Sequence, residues 1–462
     1  MTDTKRHPAS FRDPAGFVFE KEGQYFRQVN KSYSADYNRL MQSGLYTELV
    51  NEKKLIPHTE IDGVIADPVV WYKTILPQQI VFISYPYEWC FNQWKDAAIC
   101  TLCIVKKSIS YGMILKDATP FNIQFIGVTP IWIDTLSFES YDETRPWIAY
   151  RQFIECFVAP LLIARYLSAD LQKIFMAYPE GIPLKILSKL LPFKSRLNLN
   201  TLLHIFFAAG VSDNKKANAK QSRVFTKQKL LNIIDNLISF VESIKIKDKT
   251  TAWNNYYRET VLSSEYVEEK RKLLNEWIME LPVHTVLDVG TNTGLYAEMT
   301  SEAGKFTIAL DADTACIDRL YLTSKQKSLG NLLPLTIDIT QPSPATGWEN
   351  QERVSFLSRA KTELCLALAL VHHLAIRNNL GFDQMSKLFS SIAPWLIVEF
   401  IPKSDPKITL LLQNRLDIFD DYSEESFIRS FTKRFEIVKK KELNQTRRIL
   451  FLMKRKEDNT ES

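Results

Sequence analysis

The chain has 462 residues, of which 45% are hydrophobic and 24% charged, a composition typical of a globular protein with room for two or three buried cores. A formal net charge of +5 over this length is too small to indicate nucleic acid or an anionic membrane surface as a partner. The N-terminus, MTDTKRHPASFRDPAG, has no apolar core, so we do not expect a signal peptide there.

The first elements mix strands and a helix. GFVFEKEGQYFRQVN (16–30) predicts a hairpin that turns at Glu22-Gly23, QQIVFISYPYEW (78–89) a strand with a loop after it, and DAAICTLCIVKKSISYG (96–112) a helix. Cys100 and Cys103 have the spacing of a redox motif, but no second pair completes a metal site. We therefore predict two small residues on a buried helix face. Six sparse cysteines indicate reduced side chains in a cytoplasmic protein.

The segment LKDATPFNIQFIGVTPIWIDTLSFE (115–139) combines Asp117, Asn122, two short predicted strands and Asp134. It resembles the catalytic segment of protein-kinase-like phosphotransferases. The resemblance implies that Asp117 orients an accepting hydroxyl while Asn122 and Asp134 hold Mg²⁺ with ATP. Leu115-Lys116 departs from that family's pattern, no glycine follows Asp134, and the N-terminal hairpin lacks a glycine-rich loop. The alternative is a β-hairpin with capping carboxylates.

A largely helical region follows. WIAYRQFIECFVAPLLIARYL (147–167) contains three charged residues, so it predicts a buried amphipathic helix instead of a membrane span. KKANAKQSRVFTK (215–227) is predicted to be a solvated loop, and the sequence from about 228 to 245 a helix. We assign an α+β accessory domain to 1–247 and a linker with a helical lead-in to 248–280.

Beyond Pro282 the pattern changes to TVLDV, KFTIALD, LLPLTID, ELCLALAL and WLIVEF, five short apolar strands with helix-length segments between them. Such alternation predicts right-handed crossovers and a parallel sheet. The end of the chain, RFEIVKKKELNQTRRILFLMKRK, predicts an antiparallel hairpin that turns at Asn444-Gln445. We place a compact α/β domain at 281–456.

Polar residues and glycines follow these strands. In an open α/β sheet, ligands bind outside the carboxyl ends of the strands, glycines let the backbone approach a ligand, and an acidic side chain suits a ribose diol. NAD is one ligand that fits, although the loop lacks the second glycine of a dinucleotide fingerprint. The strand-end residues are Asp288, Gly290, Asn292 and Gly294 after the first strand, Asp311 and Asp338 after the second and third, and His372 and His373 after the fourth.

These residues together resemble the class I S-adenosylmethionine (SAM)-dependent methyltransferases. Asp288, Gly290 and Gly294 match the family's first motif, D-x-G-x-G-x-G, and Asn292 departs from it, although asparagine accepts a positive φ better than other non-glycine residues. Asp311 matches the ribose-binding acidic residue. The resemblance covers about two-fifths of the chain. It implies a Rossmann-like seven-stranded sheet with a terminal β-hairpin, with SAM as the cofactor.

Further strand-end residues match that family. Asp338 corresponds to the acidic residue that faces the adenine amino group, and LALALVHHL and VEFIPKSDP resemble its fourth motif and fifth strand. The overall layout also resembles methyltransferase-like proteins associated with nodulation.

Other residues are candidates for the chemistry. His372 and His373 are candidate bases, because histidine titrates near neutral pH; alternatively one packs against the cofactor and the other caps a helix. Glu399 is either a substrate contact or a structural acceptor. Trp348 either covers the adenine or substrate or pins its loop, and Tyr256 either closes over the site or packs.

We therefore predict a cytoplasmic SAM-dependent methyltransferase whose acceptor, a small molecule or a macromolecule, the sequence does not identify. We expect no membrane insertion, no nucleic-acid partner and no metal in the methyltransferase site; Mg²⁺ is expected only if the N-terminal domain binds nucleotide. Two alternatives remain: a bifunctional protein that also transfers phosphate, and a non-catalytic binding scaffold.

Overall fold

The computed structural model describes residues 4–211, 226–246, 264–413, 416–444 and 446–457. The described residues form two compact units. One unit consists of residues within Met1–Asp248 together with Ala345–Arg353, and the other consists of residues within Lys249–Pro344 and Val354–Ser462. The segment 345–353 therefore belongs with the N-terminal unit, although the residues on both sides of it belong to the C-terminal unit.

The described strands of the N-terminal unit are β1 (Lys5–Arg6), β2 (Gly16–Lys21), β3 (Gln24–Asn30), β4 (His58–Glu60), β5 (Trp71–Pro77), β6 (Met113–Leu115), β7 (Ile123–Ile126), β8 (Thr129–Trp132) and β9 (Phe138–Ser140). β1-β2-β3-β5-β4 form an antiparallel sheet, and β6 pairs with β9 and β7 with β8. The predicted hairpin is confirmed as β2–β3. Its turn residues Glu22 and Gly23 have φ values of 52° and 75°, the left-handed conformation of a two-residue hairpin turn.

The α-helices of this unit are α1 (Ser34–Gln42), α2 (Leu45–Asn51), α3 (Phe91–Ser110), α4 (Tyr150–Phe153), α5 (Ala159–Tyr166), α6 (Leu184–Leu190), α7 (Leu199–Thr201), α8 (Ala208–Val211) and α9 (Lys227–Ser243). α3 contains the predicted helix, with Cys100 buried and Cys103 half-buried, and all six cysteines are free thiols. α4, the π-helical segment Ile154–Val158 and α5 form the predicted helix after Trp147. In the part of the chain that is described, no helix is both long and apolar enough to cross a membrane.

The strand predicted at QQIVFISYPYEW is wrong. The strand lies just before it, at β5, and residues 78–85 are irregular before a 3-10 turn at Pro86–Glu88. The side chain of Gln124 bonds the backbone of Ser84 in both directions, at 2.9 and 3.0 Å. Because a side-chain amide satisfies these backbone groups, Ser84 and its neighbour Phe82 can be buried without a strand partner.

The strands of the C-terminal unit are β10 (Thr285–Val289), β11 (Phe306–Asp311), β12 (Leu332–Thr336), β13 (Leu364–Ala367), β14 (Trp395–Phe400), β15 (Phe435–Glu442) and β16 (Ile449–Arg455). They form one seven-stranded sheet in the order β12-β11-β10-β13-β14-β16-β15. The first five strands in that order are parallel, and the terminal hairpin β15–β16 is added antiparallel to β14. The predicted sheet and hairpin are confirmed. The switch point of the sheet lies between β10 and β13.

The α-helices of this unit are α10 (Ser264–Glu280), α11 (Leu295–Glu302), α12 (Thr314–Gln326), α13 (Phe356–Arg359), α14 (Phe382–Ile392), α15 (Pro406–Leu412) and α16 (Glu424–Phe431). α10 confirms the helix predicted ahead of the α/β domain. Its residues Leu274, Trp277 and Ile278 are buried in one core cluster with Val286 of β10 and Leu450 of β16. The helix therefore forms part of the unit that carries the strand ends.

Candidate functional site

The turn after β10 has a backbone that only certain residues tolerate. Gly290, Asn292 and Gly294 have φ values of 77°, 55° and 88°. A Cβ on Gly294 would lie 2.2 Å from Leu320 Cδ1, so this position requires glycine for space as well as for conformation. Asn292 adopts the positive φ expected of it, and its Oδ1 accepts a hydrogen bond from Thr293 N at 2.6 Å.

Asp288 lies beneath this turn and is buried. Its Oδ2 accepts a hydrogen bond from Thr291 Oγ1 at 2.6 Å, which ties the strand end to the turn. Burial raises the pKa of Asp288 to about 6, against the opposing effects of the Thr291 hydroxyl and the Lys270 ammonium. Asp288 therefore stabilises the turn through its hydrogen bond to Thr291.

Asp311, at the end of β11, bonds directly to the same turn. Its Oδ2 accepts a hydrogen bond from Asn292 N at 2.8 Å, and its Oδ1 accepts one from Asp313 N at 2.8 Å. Burial raises the pKa of Asp311. The first two strand ends are therefore joined through one carboxylate, which also accepts a backbone hydrogen bond from Ala312.

Asp338, two residues beyond β12, is half-buried. Its Oδ1 accepts hydrogen bonds from Thr340 N at 2.9 Å and Thr340 Oγ1 at 2.7 Å, the geometry of a carboxylate that stabilises a turn. Its Oδ2 has no hydrogen bond among those described. The parallel register places Asp338 on the same edge of the sheet as Asp288 and Asp311.

The two histidines follow β13 and lie against each other, with ring centroids 4.0 Å apart. His372 is buried, and within the described part of the chain its Nδ1 has no hydrogen-bond partner. Burial lowers the pKa of both rings, and together with the nearby Arg377 and Lys407 it lowers that of His373 to about 4. Both imidazoles are therefore neutral at pH 7.

The turn between β13 and the histidines contains Ala369 with φ 49°, which costs an L-residue other than glycine about 1–2 kcal/mol. Its backbone N donates a hydrogen bond to Glu399 Oε2 at 2.8 Å. The same carboxylate accepts hydrogen bonds from Lys270 Nζ at 2.6 Å and, through Oε1, from Tyr266 OH at 2.6 Å. Glu399 thus holds an energetically unfavourable turn that leads directly into the histidine pair.

Glu399 belongs to a wider buried network. Lys270 and Glu399 have side-chain exposures of 3% and 0%, and Arg448 bonds Tyr266 OH at 3.2 Å and Asp405 at 2.8 and 3.2 Å. Burial alone would raise the pKa of Glu399, but Lys270 and Arg448 hold it below its ordinary value. The network connects α10, β14 and the loop before β16 beside the strand ends.

The structure describes one of the two predicted lid residues. Trp348 lies in the segment Ala345–Arg353, which belongs to the N-terminal unit, and its side chain is exposed. Tyr256, with its neighbour Tyr257, lies outside the described residues. Their predicted roles at the cofactor stay predictions.

The N-terminal unit brings its predicted acidic residues together. Asn122 Nδ2 donates a hydrogen bond to Asp117 Oδ2 at 3.2 Å, and burial, with the neighbouring Asp134, raises the pKa of Asp117. Asp134 forms an ion pair with Arg27 at 2.6 Å and accepts a hydrogen bond from Leu136 N. Among the described residues, no group of three or more His, Cys, Asp or Glu side chains has the geometry to hold a metal ion.

The likeness to known proteins extends over nearly the full length. The chain is 30% identical over 471 aligned residues to nodulation protein NoeA of Rhizobium meliloti (strain 1021), and the alignment covers 98% of this chain and 96% of that protein. The chain belongs to the NoeA family. No protein-family model matches this NoeA-family chain.

Three solved structures that are similar to the NoeA-family chain each align over less than half of it. Magnesium protoporphyrin IX methyltransferase (ChlM) of Synechocystis PCC 6803, solved with bound SAH, is 18% identical over 41% of this chain and 84% of its own, with a TM-score of 0.31. The N-methyltransferase NodS of Bradyrhizobium japonicum WM9 is 14% identical over 42% of this chain and 99% of its own, with a TM-score of 0.32. The bifunctional kinase-methyltransferase WbdD is 12% identical over 47% of this chain and 45% of its own, with a TM-score of 0.30.

Sequence reasoning missed Lys270, Tyr266, Arg448 and Ala369. The sequence signal that was available is the glutamate at the end of the otherwise apolar strand WLIVEF, since a buried carboxylate requires a partner. Which residues supply that partner depends on tertiary contacts across more than a hundred residues of sequence.

Proposed function

We propose that the C-terminal unit of this NoeA-family protein transfers a methyl group from SAM to an acceptor whose nucleophile carries a proton. The observation that carries the proposal is the hydrogen bond between Asn292 N and Asp311, which joins the glycine turn to the acidic end of the neighbouring strand. A turn with three positive φ angles beside a strand-end carboxylate suits a ligand that brings a ribose diol close to the backbone.

The residues present fit such a cofactor. Gly290 and Gly294 remove side chains from the turn, Asp311 presents a carboxylate that suits a diol, and Asp338 Oδ2 is a candidate acceptor for an adenine amino group. SAM supplies the electrophilic methyl group when bound. Most of the rate acceleration for such a displacement can come from holding the nucleophile in line with the methyl carbon.

The histidine pair supplies imidazole nitrogens that could contact the methyl acceptor. A neutral imidazole accepts a hydrogen bond from a hydroxyl or an amine, and the buried His372 has an Nδ1 with no other partner among the described residues. We propose that one of the two histidines takes the proton of an acceptor O–H or N–H as the methyl group is transferred, and that the other orients the acceptor.

Calorimetric titration with SAM tests the proposal. We expect binding by the unmodified protein, binding by Asn292→Gly and none by Gly290→Val, because a β-branched side chain at φ 77° distorts the turn and would meet Leu370. A circular dichroism spectrum of Gly290→Val that matches the unmodified protein shows that the fold survives. Equal binding by Gly290→Val contradicts a cofactor role for the turn.

A second candidate is nucleotide binding with phosphate transfer in the N-terminal unit. The observation that favours it is the closeness of Asp117, Asn122 and Asp134 in one polar cluster. The Arg27–Asp134 ion pair opposes it, because the guanidinium already neutralises the carboxylate that would hold Mg²⁺. Calorimetry with ATP and Mg²⁺ separates the cases: magnesium-dependent binding that disappears in Asp134→Ala supports it, and no binding excludes it.

A non-catalytic scaffold is the remaining alternative. It predicts that SAM binds but that no acceptor in any metabolite mixture becomes methylated. Methyl transfer from labelled SAM that is lost in a His372→Ala, His373→Ala double variant with unchanged SAM affinity would exclude the scaffold.

A further inference from the structure

The N-terminal unit carries an exposed apolar surface that neither proposed activity uses. The polypeptide from α6 through α8 presents six large apolar side chains to solvent: Leu190, Phe193, Leu197, Leu199, Leu203 and Phe207. Leu197 and Phe193 are 81% and 75% exposed, which makes them among the most exposed large hydrophobic side chains of the described residues. Single exposed apolar residues need no explanation, but six of them within eighteen residues of sequence indicate an interaction surface.

The local geometry explains why these side chains face outward. From Leu199 the chain continues as α7, a π-helical segment at Leu202–Phe207 and α8. Leu199, Leu203 and Phe207 are spaced by four residues and so share one face of this helical stretch. Thr201, His204 and Ile205 are buried on the opposite face, where His204 Nε2 lies 3.2 Å from Asn236 Oδ1 of α9. That attachment leaves the leucine–phenylalanine face directed away from the body of the unit.

The charge of the same segment is entirely basic. Between Glu180 and Asp213 the sequence contains Lys185, Lys189, Lys194 and Arg196 and no Asp or Glu. All four basic side chains are exposed. The guanidinium of Arg196 lies 4.6 Å from the Phe206 ring centroid and 5.7 Å from that of Phe193, so cations and apolar side chains interleave on one surface.

We propose that this surface, the exposed side chains of residues 185–207, docks the protein onto an anionic phospholipid membrane without insertion of a spanning helix. Leucine and phenylalanine side chains surrounded by Lys and Arg are the combination that binds at the boundary between acyl chains and anionic headgroups. The modest net charge of the whole chain does not oppose this, because the attraction depends on the local basic segment within a Debye length of the lipid.

Other occupants fit the surface less well. Two copies of this chain meeting through it would bring the same four cations together, which costs association energy. A nucleic acid would use the cations but would gain little from exposed leucines, since its backbone offers phosphates and sugars. An anionic lipid surface satisfies both the charge and the apolar side chains.

Vesicle co-sedimentation of the full chain tests the proposal. We expect the protein to bind vesicles of phosphatidylcholine with phosphatidylglycerol and to bind pure phosphatidylcholine vesicles much more weakly, with binding reduced by added salt. The variant Phe193→Ser, Leu197→Ser should bind the anionic vesicles at least about ten-fold more weakly, because each side chain buries apolar area in the bilayer interface. Both positions are exposed, so the substitutions leave the core intact.

Matched control variants distinguish vesicle binding through this surface from nonspecific adsorption of the protein to vesicles. Val69→Ser with Val81→Ser changes two exposed valines elsewhere in the N-terminal unit and should leave vesicle binding unchanged. Lys189→Glu with Lys194→Glu should abolish the preference for anionic vesicles, while Lys53→Glu with Lys272→Glu should retain it.

Four results would overturn the proposal. They are no binding to anionic vesicles, equal binding to neutral ones, unchanged binding by the Phe193→Ser, Leu197→Ser variant, and a dimer in sedimentation velocity that this variant dissociates. The last result would assign the surface to a second copy of the chain.

Discussion

Two turns border the candidate site of the C-terminal unit, and they are held in different ways. The first turn, residues 290–294 after β10, adopts positive φ angles with glycine and asparagine, which tolerate them, and its contacts come from Asp288 and Asp311. The second turn, residues 368–373 after β13, places an alanine at φ 49° and relies on Glu399 to hold it. The first conformation is encoded mainly by its own residues, whereas the second is imposed by a buried ionic network built from distant parts of the chain.

Removal of the network should have the largest effect. Glu399→Ala leaves the Lys270 ammonium buried without its carboxylate and removes the acceptor from Ala369 N, so we expect the free energy of unfolding to fall by about 3–5 kcal/mol in urea denaturation. Glu280→Ala is the matched control, because it breaks the exposed ion pair between Lys439 and α10 and should cost about 0–1 kcal/mol. A loss of less than 1 kcal/mol in Glu399→Ala would mean that the second turn does not depend on the network.

The pH dependence of stability probes the histidines that follow the second turn. The pKa of His373 is lowered to about 4 in the folded chain, against an ordinary value of about 6.5, so the unfolded chain binds this proton more tightly. Its contribution to stability is present above pH 6.5 and is lost as the pH falls towards 4, by roughly 3 kcal/mol. In His373→Gln, urea denaturation from pH 7 to pH 4 should show a correspondingly shallower decline. An unchanged decline would place His373 in solvent.

The first turn can be tested through its tightest position. Gly294→Ala combines a positive φ with a Cβ that would lie 2.2 Å from Leu320 Cδ1, so we expect a loss of about 2–3 kcal/mol in thermal or urea unfolding. Gly304→Ala has a similar φ of 80° but nothing within 4 Å of the added Cβ, and should lose only about 1–2 kcal/mol. Equal losses would show that packing against Leu320 is not what requires glycine.

The smallest effect should have the opposite sign. Ala369→Gly relieves the positive φ of the second turn, so we expect a gain of up to about 1 kcal/mol after the extra backbone entropy of glycine is subtracted. Ala303→Gly is the control, since Ala303 has an ordinary φ of −76° and its replacement should lower stability by about 0.5–1 kcal/mol. Destabilisation in both variants would mean that Ala369 is not strained.

These two turns also show which features of the structure can be predicted from the sequence and which cannot. Strand positions, the terminal hairpin and the positive φ of Asn292 follow from apolar alternation and residue type, which act over a few residues. The partners of Glu399 lie at positions 266, 270 and 369, and no local pattern links them. The irregular conformation of residues 78–85 was also not predicted, because it depends on a distant residue. The side chain of Gln124 bonds the backbone of Ser84 in place of a neighbouring strand.

We propose that the strand ends of the C-terminal unit bind SAM. Isothermal titration of the purified full chain with SAM, and separately with NAD, addresses this cofactor assignment, because both ligands present a ribose diol to Asp311 but differ in the groups attached to that ribose. We expect saturable binding of SAM, lost in Asp311→Ala, and no binding of NAD. Binding of NAD without binding of SAM would contradict the assignment of SAM as the cofactor.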